Sequence, residues 1–147
     1  MRPLVAGSLI LALGCQPGAF EPLPTLDELR SAPTALVIAG RQVPIELFLW
    51  RDFMPISPPD GKPLAAVIRL PSDVESLEVT KSWVLQESLI WVAAPSFVAA
   101  STGREWVARG GPKWGPGVDV EVIVRVRDAS GGAYLVRTPN VPINRTD

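Results

Sequence analysis

Val118-Asp119-Val120-Glu121-Val122-Ile123-Val124-Arg125-Val126-Arg127 is the stretch that sets the architecture. Valine recurs at every second position, and four of the five residues between are charged. A period of two places one set on each face of a β-strand, so the valines face a core and the charges face away. Asp128-Ala129-Ser130-Gly131-Gly132 follows as a hairpin loop, returning through Ala133 to Thr138.

The same period recurs upstream. Thr34 to Ala39 reads as a β run ended by Gly40-Arg41. In the next strand Val43, Ile45, Leu47 and Leu49 alternate with Pro44, Glu46, Phe48 and Trp50. Leu64 to Leu70 is another strand, and Leu77, Val79, Lys81, Trp83 and Leu85 form one alternating set. Gln86-Glu87-Ser88 turns that set into Leu89 to Val92, while 93–104 reads as a long connection before a short strand at Glu105 to Arg109. Val141-Pro142-Ile143 reads as a last edge segment. The count is roughly seven to nine short strands with no strand–helix alternation. The fold class is therefore all-β, an antiparallel β-sandwich of immunoglobulin-like type over residues 34–147, with no parallel pairing expected. A single helical turn is expected just before it, because Thr25-Leu26-Asp27-Glu28 has the spacing of a capping box.

The N-terminus has a different character. Arg2 is the only charge among the first twenty residues, and Leu4 to Gly14 is a run of apolar and small residues. A basic start, a short apolar core and small residues at its end form the pattern of an export signal. The run is too short for a spanning helix, which needs about 20 apolar residues. The only cysteine, Cys15, stands directly after Gly14.

Leu11-Ala12-Leu13-Gly14-Cys15 resembles the lipobox of bacterial lipoproteins. That family favours Leu three places before the Cys and a small residue two places before, where this chain has Ala12 and Leu13. The resemblance implies cleavage after residue 14 and acylation of Cys15, which anchors the protein to a membrane of the bacterial cell envelope. Gln16 replaces the Asp linked to inner-membrane retention, which favours the outer membrane where the host has one. Several acyl chains hold a domain far better than one. Residues 15–33 then form a lipid-anchored tether ending in the helical turn, and Gln16 to Pro24 is stiffened by its prolines. Leu49 to Pro55 and the run 109–117 look similar to segments of uncharacterised envelope lipoproteins.

Removing residues 1–14 leaves 133 residues, with 13 basic and 15 acidic side chains. That slightly acidic balance lacks the basic excess of a nucleic-acid-binding face. With Cys15 acylated no thiol remains, so no disulfide supports the core. The chain has no histidine. Neither a Ser-His-Asp nor a Cys-His arrangement can be assembled, and the commonest metal ligand is missing. Asp60 stands alone in its loop, and no cofactor or metal site is expected. Asp119 and Glu121 would serve a carboxylate hydrolase only if a pocket separated their pKa values. Beside Arg125 and Arg127 they read as a solvated strand face.

The expected role is thus non-enzymatic, binding or structural. The alternative is a small-ligand or glycan-binding module built on loops 55–63 and 110–117, both rich in proline and glycine. If Glu105 to Arg109 is a full strand, alternating strand ends bring these loops to one end. They would then present Asp60, Lys62, Lys113 and Trp114 together. Trp114 beside Lys113 suits contact with a glycan, a lipid headgroup or a protein partner, or else it folds back to cap the sandwich. Arg51 and Asp52 read as an ion pair closing a strand end.

Overall fold

The computed structural model describes residues 22–147 except 75 and 102. The signal segment, Cys15 and residues 16–21 lie outside the described residues. The elements are α1 (Leu26–Arg30), β1 (Leu36–Ile38), β2 (Arg41–Val43), β3 (Glu46–Asp52), β4 (Leu64–Leu70), β5 (Glu78–Gln86), β6 (Leu89–Ala93), β7 (Ser96–Ala100), β8 (Gly103–Gly111), β9 (Asp119–Arg127) and β10 (Ala133–Thr146).

The valine stripe behaves as its period dictates. Val120, Val122, Val124 and Val126 are buried in the main core with Leu49, Ile68, Val84 and Trp106. β1 and β2 form a separate hairpin, and the other strands pair in the order β6-β5-β9-β10-β3-β4-β8-β7. The long strand β10 makes this one continuous array. Its first part, 133–142, pairs antiparallel with β9, and Ile143–Thr146 runs parallel to Leu49–Asp52 of β3. The array folds over at β10 into two facing layers, whose inner faces share the core. The result is an all-β, sandwich-like fold.

Five expectations need correction. Among the described residues there are ten strands rather than seven to nine. One is β7, which lies within the supposed connection 93–104 and pairs with β8. Another comes from the division of the Val43 run into β2 and β3 at Pro44-Ile45, since proline has no N–H to donate to a ladder. The segment 141–143 is no edge, because β10 lies between β9 and β3. The pairing is not wholly antiparallel either: β10 is long enough to leave one layer and enter the other alongside β3.

The alternation at 77–85 does not mark one face. A bulge between Val79 and Lys81 shifts the register. An extra residue reverses which side chains face inward. Leu77, Val79 and Val84 therefore enter the main core, whereas Trp83 and Leu85 point to the outer side. There they join Ile123, from the supposedly solvated face of β9, beneath Leu29 and Ala32.

Helix α1 covers this outer patch. Thr25 caps it in both directions: its hydroxyl accepts from the Glu28 N–H at 3.2 Å, and its own N–H donates to Glu28 Oε2 at 2.6 Å. Arg30 donates to the Glu87 carbonyl, tying the other end to the β5–β6 turn. A five-residue helix is marginal alone. Burial of Leu29, of the order of 2 kcal/mol, is what fixes it on the sheet. α1 thus packs as part of the folded unit.

Candidate functional site

β8 is a full strand, and loops 53–63 and 112–118 meet at one end of the sandwich. The residue that joins them is Arg51. Alternation along β3 turns it inward beside Leu49, and it is only 4 % exposed. Its guanidinium donates to carbonyl oxygens of both loops: Nε to Lys62 at 2.9 Å, Nη1 to Gly115 at 2.7 Å and to Lys113 at 3.2 Å, and Nη2 to Asp60. A planar fork of five donors suits such a cluster of acceptors, and each charged hydrogen bond is stronger than a neutral one. Arg51 therefore does not pair with Asp52, as the sequence led us to expect.

Asp52 points the other way and pairs with Lys62 at 3.0 Å. The Met54 N–H donates to its carboxylate at 2.9 Å. That amide, then Lys62, holds the Asp52 carboxyl below its ordinary pKa. The other two charged candidates pair with each other, Lys113 Nζ lying 2.7 Å from Asp60 Oδ2. Lys113 in turn keeps the Asp60 carboxyl below its usual value. Trp114 is half-buried and packs against the main core. All four candidates thus lie at one end of the fold. Both lysines have carboxylate partners there, and the indole lies against the core.

Phe53 completes this end. The guanidinium of Arg145 lies 4.2 Å from its ring centroid and that of Arg51 lies 5.1 Å away. Gly61, at φ +77°, sits so close that a Cβ would come within 2.6 Å of the Phe53 ring. The Phe53 N–H bonds to the Thr146 carbonyl at 2.7 Å, bringing in the C-terminal strand. Polar groups here mostly bind one another, which makes the end a stiff cap.

Elsewhere, Glu121 lies 3.3 Å from Arg137 and 3.9 Å from Arg30. Among the described residues no group of three or more Asp, Glu, His or Cys is placed to hold a metal ion. No helix among them is long and apolar enough to cross a membrane.

A surface that the sequence reading missed lies on the outer side of β3, β4 and β8. Phe48 and Trp50 stack there, with centroids 5.6 Å apart and ring planes at 27°. Phe48 is 48 % exposed. The available signal was two aromatics on the nominally polar face of the strand, alternating with inward Leu47 and Leu49.

No family model, curated protein or solved structure matches this chain.

Proposed function

We propose that this is a lipid-anchored protein of the bacterial cell envelope that acts by binding or by supporting an assembly, without catalysing a reaction. The observation that carries the proposal is the spacing between Cys15 and the start of the fold. The lipobox-like segment ends at Cys15, and the first element among the described residues begins at the Thr25 cap, ten residues later. Three of those intervening residues are proline. A short, stiff spacer between an acylated residue and a folded domain is what display from a membrane requires.

The polar chemistry supports the non-catalytic part of the reading. Arg51 is committed to loop carbonyls, and Asp52, Asp60 and Glu121 are held by cations. The chain has no histidine to act as a general base.

Intact-mass analysis of membrane-extracted protein tests the anchor. The expected result is loss of residues 1–14 with added acyl mass on Cys15. A Cys15→Ser protein that is processed and held at the membrane like wild type would overturn it.

A further inference from the structure

Backbone ladders hold every described strand to a neighbour, but α1 is held to the sheet in another way. Among the described residues, the backbone bonds of its segment stay within it. The Leu29 N–H donates to the Thr25 carbonyl at 3.0 Å, Ser31 to Asp27 at 2.9 Å and Ala32 to Leu29 at 3.3 Å. The first backbone bond to a strand comes at Pro33, whose carbonyl accepts from the Arg137 N–H at 2.8 Å. Before that point side chains make the contacts. Leu29 and Ala32 are buried, Leu26 is partly so, and Arg30 reaches the Glu87 carbonyl and, at 3.9 Å, Glu121.

The apolar surface beneath extends past its cover. Trp83, Leu85 and Ile123 are buried with Leu29 and Ala32. Register places Ile90 opposite Leu85 and Val92 opposite Trp83, so both share that face of the sheet, and both are exposed. Ile123 lies opposite Trp83 on the other side. The row Val92, Trp83, Ile123 therefore runs from open to covered without a break.

Undocking α1 and unfolding the sandwich differ widely in cost. A five-residue helix has no stability of its own in water, so α1 persists only while docked. Arg30 and Glu121 are both partly open to solvent, and such a pair adds little. Undocking exposes a few apolar side chains and breaks no strand pairing, while the residues before Pro33 regain backbone freedom. Unfolding breaks every ladder and opens the main core. That difference is the condition for a segment to open on its own.

We infer that α1 is a displaceable cover, pivoting at Pro33, whose release joins Trp83, Leu85 and Ile123 to Ile90 and Val92 as one apolar surface on an otherwise intact sandwich. Such a surface is cryptic, hidden in the dominant state and presented in a minor one. The cover acts in this way whether or not Cys15 is acylated.

The test is native-state labelling of the full chain with a maleimide, at urea concentrations below the unfolding midpoint. Cys15→Ser removes the only native cysteine, so each introduced thiol reports alone. Leu29→Cys and Ala32→Cys place it on the buried side of the cover, and Ser82→Cys and Ala66→Cys place it in buried parts of the sandwich. The cover thiols should react about a hundredfold faster than the sandwich pair, with little dependence on urea, because opening exposes little surface. The sandwich thiols should accelerate steeply with urea, as global unfolding does. Leu29→Asp should keep a cooperative urea transition and bind anilinonaphthalene sulfonate more strongly than wild type. Cover and sandwich thiols reacting at one rate with one urea slope would overturn the inference. Cover thiols as reactive as free cysteine, or loss of the cooperative transition in Leu29→Asp, would overturn it too.

Discussion

The Trp91 ring of β6 lies flat against Gly111 of β8, and a Cβ at position 111 would come within 2.8 Å of its carbons. β6 and β8 are far apart in the pairing order, so this contact closes the open side of the sandwich. Gly111→Ala should cost about 1–3 kcal/mol through overpacking. Urea unfolding would show it as a lower midpoint at unchanged slope, and wild-type stability would refute the contact.

Arg51 holds two loops through one side chain. Arg51→Met leaves its carbonyl acceptors without a donor and should destabilise by the order of 3 kcal/mol. Arg51→Lys should recover little, because an ammonium cannot reach acceptors on both loops with a planar fork. Equal stability of the lysine variant would show that charge alone suffices.

Asp52 and Asp60 have pKa values lowered in the folded state, Asp52 chiefly by the Met54 amide and Asp60 chiefly by Lys113. A lowered folded pKa means their stabilisation is present above the ordinary value of 3.8 and is lost as pH falls through the lowered one. The Tm should hold steady from neutrality to about pH 5 and then fall in acid. Asp52→Asn should melt lower at neutral pH and lose less on acidification. A parallel decline in wild type and variant would remove Asp52 from the account.

α1 depends on its cap and on one leucine. Thr25→Ala should cost about 1 kcal/mol. Leu29→Ala should cost about 2–4 kcal/mol, because it opens a cavity over Trp83 and Ile123. Both should alter tryptophan fluorescence, as Trp83 lies beneath the helix. Unchanged emission in Leu29→Ala would show that α1 does not seal this patch.

Local pattern made much of the fold legible. The valine alternation at 118–127 marked a strand whose valine face is buried from Val120 to Val126, and LAAVIRL marked β4 to the residue. Two loops could be brought to one end only on the condition that β8 was a full strand. Arg51 was hidden because a charged residue between Trp50 and Asp52 looks the same whether it faces water or a ring of carbonyls. β7 was hidden because Ala93 to Arg104 has neither a clean period nor a turn to frame it.

Residue order alone determined the alternation of faces, the Thr25 cap and the lipobox-like approach to Cys15, since each depends on neighbours within a few positions. Tertiary structure decided what those faces meet. It turned Trp83 outward at a bulge, buried Ile123 under α1, carried β10 from one layer to the other and left Phe48 and Trp50 open. The physical reason is that a period of two tells the two sides of a strand apart, while burial depends on partners distant in the chain.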